Sequence, residues 1–286
     1  MRSYLELLRD VIVRGEKRDD RTRTGTLSLF GRQWCHDMRK GFPLLTTKHV
    51  SLRQTFNELM WFLSGSTNAN DLPVETQKWW SPWADECGDL GPIYGRQFRS
   101  ARSWTDNTYG DDDEIEVKPI EVDQLAELLR KLEQESESRR LIMSTWNAAD
   151  VPEMKLPCCH GLVIQFYVHN DGGLSLKMYQ RSADIFIGVP VNIASYALLL
   201  MLVAKVTGYT PRELIITFGD LHLYDNHVDQ AFTQLERAPR DLPSVEFTED
   251  FPSEGSSLDR LLSVRWNHIR LTGYNPHPKI SAPVAV

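Results

Sequence analysis

The sequence predicts a single α/β domain, residues 1–286, built on a large mixed β-sheet with helices against it. Three observations lead there. Helical repeats and a hairpin signal mix without the regular βαβ alternation of a parallel fold. No Pro/Gly/Ser-rich linker, internal repeat or low-complexity tract divides the chain. Its most apolar stretch, Ile193–Ala204, is about 12 residues long against the ~20 needed to cross a bilayer, which reads as a buried core helix.

The elements follow in order. Tyr4–Val13 is amphipathic and reads as a first helix. Ser51–Ser64 is a second, with Ser51 as N-cap, Gly65 as terminator and Leu52, Phe56, Leu59, Met60 and Leu63 at helical spacing; Glu58 lies off that stripe. Trp79–Arg99 is rich in Trp, Gly and Pro, and Ser103–Lys118 turns acidic around Asp111-Asp112-Asp113-Glu114, a solvated loop. Val122–Glu133 repeats Val122, Leu125, Leu128, Leu129 and Leu132 as a third helix, and Leu141–Thr145 follows as a strand. Leu162–Val168 and Leu174–Tyr179 are strands joined by Asn170-Asp171-Gly172-Gly173, a hairpin signal because the turn needs residues that tolerate positive φ. Asn192–Val206 is the core helix, closed by Gly208, and Leu214–Phe218 a further strand.

Composition limits the function classes. The chain is 41% hydrophobic and 25% charged, as in ordinary globular proteins. With 32 Lys plus Arg against 39 Asp plus Glu it carries a net −7, which argues against a nucleic-acid binder. The four cysteines, Cys35, Cys87, Cys158 and Cys159, have neither zinc-ligand spacing nor a secreted framework, and the start shows no signal-peptide pattern; a reducing, cytoplasmic setting is expected, with no membrane and no metal.

Several residues carry chemistry. Cys159 beside His160 places a thiol next to an imidazole, one way to raise the thiolate fraction; two core thiols and an unrelated histidine is the plainer alternative. Arg181 and Ser182 sit at a strand end, suited to grip a phosphate or, alternatively, to a salt bridge between Arg181 and Asp184. Arg21, Arg139 and Arg140 are further cations, meaningful if clustered round one dianion. Asn192 either caps its helix or reads a base edge, since a carboxamide offers one donor and one acceptor side by side.

Taken together these segments resemble the thymidylate synthase family, whose fold is a helix-flanked mixed sheet paired sheet-to-sheet in a homodimer. The resemblance is collinear from Arg21 to Val286. It rests on Asp20-Arg21-Thr22, Gly41–Lys48, Glu58–Leu63, Gly88–Gly95, Ser138-Arg139-Arg140, Cys159-His160, Tyr179–Asp184, Asn192–Ala197, His222-Leu223-Tyr224 and Pro276-His277-Pro278. It implies that dUMP is methylated at C5 with 5,10-methylenetetrahydrofolate as cosubstrate. Cys159 is then the nucleophile, with Glu58, Tyr94, His160, Arg181 and Asp184 catalytic. Arg21, Arg181 and Ser182, with Arg139 and Arg140 of the partner subunit, would hold the phosphate. His222 and Tyr224 would hold the ribose and Asn192 the uracil, with Asp184 also among the substrate-binding residues. Lys48, Trp80, Trp83, Asp184, Gly188 and the terminal Val286 fall on the folate side.

The sequence departs from the family pattern in places. Between Cys159-His160 and Gln165-Phe166 one residue is extra, and since one added residue flips a strand, a bulge is expected between His160 and Val163, with Gly161 the natural site. Cys158 occupies a usual proline position, Arg23 a usual glycine, and Leu221 a usual small residue. Ser51, Ser81-Pro82 and Val191 depart at the folate end. These bear on a sister branch, the nucleotide 5-hydroxymethylases, in which water replaces hydride in the last step. The retained terminus and Trp80 favour methylation, and Asn192 favours uracil over cytosine. A catalytically silent, RNA-binding relative fits neither Cys159, Glu58 and Arg181 nor the negative charge.

Overall fold

Capping and apolar periodicity set the first half of the chain. The computed structural model describes residues 1–105 and 118–284, so the acidic run Asp111–Glu114 and Val286 lie outside the described residues. Helix α1 (Arg2–Arg14) buries Tyr4, Leu5, Leu8 and Val11 on one face. The short β1 (Glu16–Arg18) and the long β2 (Thr26–Asp37) follow, then α2 (Leu52–Ser64). As the sequence predicts, Ser51 caps α2, its hydroxyl accepting from the Gln54 N–H, and Gly65 ends it in the left-handed region at φ 88°. The brief α3 (Val74–Gln77) leads to α4 (Tyr94–Ser100) and the paired strands β3 (Ala101–Thr105) and β4 (Lys118–Val122), so strand takes the ends of the stretch expected to be loop. Asp123 caps α5 (Gln124–Gln134).

Of the strand expected at Leu141–Thr145, only β5 (Ile142–Met143) pairs in the ladder. Ser144 and Thr145 turn their hydroxyls to the carbonyls of Leu162, His160 and Gly161, and these side-chain bonds hold the segment where the ladder stops. The hairpin β6 (Val163–Val168) and β7 (Gly173–Asp184) forms where read, with Gly172 at φ 77° in its turn, but β7 runs on past Tyr179. Helix α6 (Gly188–Thr207) begins four residues before Asn192, with Pro190 in its first turn, so Asn192 is not its cap. The strand expected at Leu214–Phe218 is the middle of β8 (Thr210–Tyr224). Then come α7 (Val228–Leu235), β9 (Ser244–Phe247), α8 (Ser257–Leu262) and β10 (Ile269–Thr272).

The main sheet has six strands in the order β1-β2-β8-β7-β6-β5. Only β7 and β8 pair in parallel, joined through α6; the other neighbours are antiparallel, which makes the sheet mixed. Although α6 is long enough to span a bilayer, 83% of its apolar window is buried inside the protein, against β7, β8, α2, α5 and α8. It is the core on which both site-bearing strands rest.

Candidate active site

The parallel pair β7/β8 carries one wall of the site. Its register sets Ser182 beside Asp220 and Asp184 beside His222, so the residues expected to hold phosphate and ribose emerge side by side at the strand ends. His222 Nδ1 lies 3.2 Å from Asp220 Oδ1, which also accepts from the Ser28 hydroxyl at 2.7 Å. Those bonds hold the Asp220 carboxyl below the usual range, so it is an anion that orients the imidazole. Tyr224 stacks edge-on with His222 at 5.1 Å, and burial pushes its phenol up to about 12.

The loop that carries Cys159 is fastened to this wall. The Arg181 N–H donates to the Cys159 carbonyl at 2.9 Å, while its guanidinium donates to the carbonyls of Cys158 and Pro157 at 2.9 and 2.8 Å. No ion pair joins Arg181 to Asp184 among the described residues; the alternative use of Arg181 weighed from sequence is replaced by clamping the cysteine loop. On the other side the Cys159 N–H donates to the Tyr94 hydroxyl at 2.9 Å, leaving that hydroxyl's proton free to point at Sγ, 3.5 Å away. Burial pushes the Cys159 thiol up, and the Tyr94 hydroxyl and the Arg181 charge oppose that shift. Cys158 is fully buried, its thiol pushed up to about 12, an inert neighbour.

The ladder slips by a residue after His160. In-register extension of β6/β7 would set Arg181 against Gly161, yet Arg181 bonds to Cys159, and Leu162 donates to the Tyr179 carbonyl that belongs to the partner of Val163. The chain slips within His160–Val163 with Gly161 at φ 66°, the expected place. A Cβ there would stand 2.3 Å from the Tyr196 hydroxyl, which needs that space to reach His160 Nδ1 at 2.8 Å. Burial lowers His160 to about 3 and raises Tyr196, so the hydrogen bond joins a neutral imidazole to a neutral phenol. Phe62, Tyr94 and His160 form a stack at centroid spacings of 4.5 Å.

Glu58 reaches the same pocket from α2. Although off the apolar stripe it is buried, because α2 packs against both α4 and α6. Its Oε1 accepts from the Trp80 indole N–H at 2.8 Å, and burial raises its carboxyl to about 7, the range of a proton-transfer group. Trp80 itself is packed among Trp61, Phe62 and Tyr94, while Trp83 is half-buried.

Asn192, buried in the second turn of α6, accepts at Oδ1 from Gln180 Nε2 at 3.0 Å, which fixes which way its carboxamide faces. Gly188 opens α6 beside it, 3.7 Å from Asn192 Oδ1 when a Cβ is built. Asp184 Oδ1 accepts from the N–H groups of Phe186 and Ile187 at 2.8 and 3.0 Å, capping the turn and leaving Oδ2 outside these bonds. Lys48 turns inward: Nζ donates to the Phe186 carbonyl, stands 3.5 Å over the Phe186 ring, and burial lowers it to about 7 against the pull of Asp184. Arg21 and Arg23 are exposed on a loop that Asp20 ties through Thr22 and Gly25, and Arg139 and Arg140 are exposed beyond α5. Arg23 stands at φ 57°, a conformation suited to the glycine usual there. The geometry thus gathers Cys159, His160, Tyr94, Glu58, Arg181 and Trp80, and the β7/β8 group, but leaves the other arginines at the surface.

Sequence reasoning missed Tyr196, Gln180 and Asp220, each of which orients a site residue. Asp220 was signalled by its place two residues before His222, on the same face of a strand. Among the described residues no group of three or more His, Cys, Asp or Glu side chains is placed to hold a metal. A cysteine in a clamped loop, with a buried carboxyl, a neutral histidine and an oriented carboxamide around it, is the kind of cluster that a covalent active site uses. The family model for thymidylate synthase matches residues 2–286, and the chain belongs to that family, a family of nucleotide methyl- or hydroxymethyltransferases that bind dUMP and use methylenetetrahydrofolate.

Proposed function

We propose that the protein is a thymidylate synthase, converting dUMP to dTMP with 5,10-methylenetetrahydrofolate and releasing dihydrofolate. The observation that carries this reading is the doubly anchored Cys159, its carbonyl bonded by Arg181 and its N–H by a Tyr94 hydroxyl 3.5 Å from Sγ. C6 of uracil is an electron-poor alkene carbon suited to a soft nucleophile. As the Sγ–C6 bond forms, the alkene electrons move toward C5 and O4, and Asn192 with Nδ2 free of Gln180 can donate to O4. Methylenetetrahydrofolate supplies the one-carbon unit and the hydride. Tyr94 and Glu58, the latter near 7, would take the C5 proton, after which the Sγ–C6 bond breaks.

Hydride rather than water fits a covered site. Trp80 is held inward by Glu58 against Trp61, Phe62 and Tyr94, and the terminal segment is tied at Pro283, so Val286, beyond the described residues, would close over the cosubstrate. Asp184 Oδ2 and Trp83 fit the folate side as polar anchor and apolar wall. Lys48, turned inward, would reach folate only through the Phe186 turn. Arg139 and Arg140, exposed, would complete the phosphate set with Arg21, Arg181 and Ser182 across a sheet-to-sheet homodimer. The sheet face bearing Val163 and Tyr167, 42% and 62% exposed, would be covered in that dimer.

The test is to incubate wild type, Cys159→Ser and Cys158→Ser with dUMP, and separately with dCMP, plus methylenetetrahydrofolate, following nucleotide mass and dihydrofolate absorbance. Wild type and Cys158→Ser should form thymidylate with equal dihydrofolate from dUMP alone, and Cys159→Ser none. A hydroxymethyl product without dihydrofolate would place the protein in the sister branch, and activity lost in Cys158→Ser but kept in Cys159→Ser would move the nucleophile.

A further inference from the structure

His227 ends the short helical turn Asp225–His227 between β8 and α7, and its imidazole is completely buried. The ring lies between Phe186 and Tyr224, at centroid distances of 5.6 and 5.5 Å. Its Nε2 is 2.7 Å from the carbonyl oxygen of Pro283, 56 residues further on. A carbonyl can only accept, so Nε2 carries the proton. Its Nδ1 has no hydrogen-bond partner among the described residues and lies 3.9 Å from Asp184 Oδ1. One buried side chain therefore touches the turn after β7, the end of β8 and the carboxyl-terminal segment.

The segment's other ties all come earlier. The His277 N–H donates to the Thr46 carbonyl at 2.7 Å, and Arg237 donates to the Pro278 carbonyl at 2.6 Å. Ile280 and Ala282 pack against the core. At Pro283 the backbone has no N–H, so its carbonyl is the only main-chain group that residue can use, and the residue itself is exposed. The bond from His227 is the last polar tie toward the chain end among the described residues.

We propose that His227 is a positioning residue that latches the carboxyl-terminal segment beside Asp184 through Nε2–H donated to the Pro283 carbonyl. The inference rests on the reading, given above, that this segment covers the cosubstrate. Its chemistry is simple: the ring is fixed by aromatic neighbours, so the donor is aimed in advance, and the exposed segment gains a defined seat at the cost of ordering few residues. The bond itself ends on the terminal segment, whereas the ring also packs on Tyr224, a contact that an aromatic replacement keeps.

The variants His227→Gln, His227→Asn and His227→Phe separate the latch from simple packing. Glutamine can set an amide N–H where Nε2 was, asparagine is too short, and phenylalanine fills the space with no donor. The first readout needs no substrate: the rate at which carboxypeptidase releases residues 284–286 from the folded protein, followed by mass. Loss of one such bond should speed release about fivefold in the Asn and Phe variants, with Gln within about twofold of wild type. The second readout is kinetic: KM for methylenetetrahydrofolate should rise in the Asn and Phe variants, while dUMP affinity stays at the wild-type value in the Phe variant, which keeps a ring against Tyr224. In a chain ending at Ser281, which lacks Pro283, His227→Asn should add nothing to KM. Release equal in all four proteins, or a KM defect that persists in the shortened chain, would overturn the latch. If release responds as expected but wild type does not convert dUMP, the latch stands and the proposed activity falls.

Discussion

Glu58 and His160 sit in one pocket and are shifted in opposite directions by the same cause. Burial disfavours charge, so it raises the carboxyl to about 7 and lowers the imidazole to about 3. Between their ordinary values, from about pH 4.5 to 6.5, folded Glu58 holds a proton that the unfolded chain has released, and folded His160 lacks one that the unfolded chain has bound. The first makes stability fall as pH rises toward 7; the second makes it fall as pH drops below 6.5. In wild type the two slopes oppose and nearly cancel. In Glu58→Gln, which keeps an acceptor for Trp80, only the histidine slope remains. Stability should then fall more steeply than that of wild type as pH drops from 6.5 to 5, because burial lowers His160, and His36 with it, and only wild type carries the opposing carboxyl. Denaturant midpoints at several pH values check this, and parallel profiles for the two proteins would refute it. Periodicity alone set Glu58 among the solvent-facing positions of its helix; its role was legible only from the run Glu58–Leu63, because burial on both sides of α2 is a tertiary fact.

At the scale of elements, what the sequence made legible had local causes. Ser51 and Gly65 bound α2 because a cap bond and a left-handed residue act within one turn. The β6/β7 hairpin was legible for the same reason. Strand β2 was not read, although it pairs along its length with β8: its burial does not alternate cleanly, and Gly31, at φ 72°, interrupts it. The start of α6 was read four residues late, since Gly188-Val189-Pro190 looks like a turn until Asp184 caps it by its side chain. The slip at Gly161 was countable from sequence, but its link to Tyr196 was not. Alanine at Gly161 would take a backbone conformation that costs an L-residue about 1–2 kcal/mol and would press on the Tyr196 hydroxyl. Tyr196→Phe loses only the bond to His160, about 1 kcal/mol. Gly161→Ala should therefore lower the denaturant midpoint more than Tyr196→Phe, and both should lower kcat/KM. Equal stability losses would mean that the loop yields without strain.

At the scale of the whole molecule, one chain gathers the chemistry but not the full set of cations. Cys159, His160, Tyr94 and Glu58 converge on the ends of β7 and β8, whereas Arg139 and Arg140 stand exposed beyond α5. On the proposed reading, those cations would meet a nucleotide phosphate where a second copy brings them to it. Composition and periodicity could not reveal this, since an exposed arginine looks the same whether it meets water or a partner. The central claim, a Cys159 site for dUMP completed by the neighbouring subunit, is tested most directly by mixing two inactive chains, Arg140→Ala and Cys159→Ser, under conditions that exchange subunits. In a mixed dimer one site holds both an intact cysteine and an intact arginine, so random pairing should restore about a quarter of wild-type thymidylate formation. Activity no higher in the mixture than in the separate variants would contradict the account.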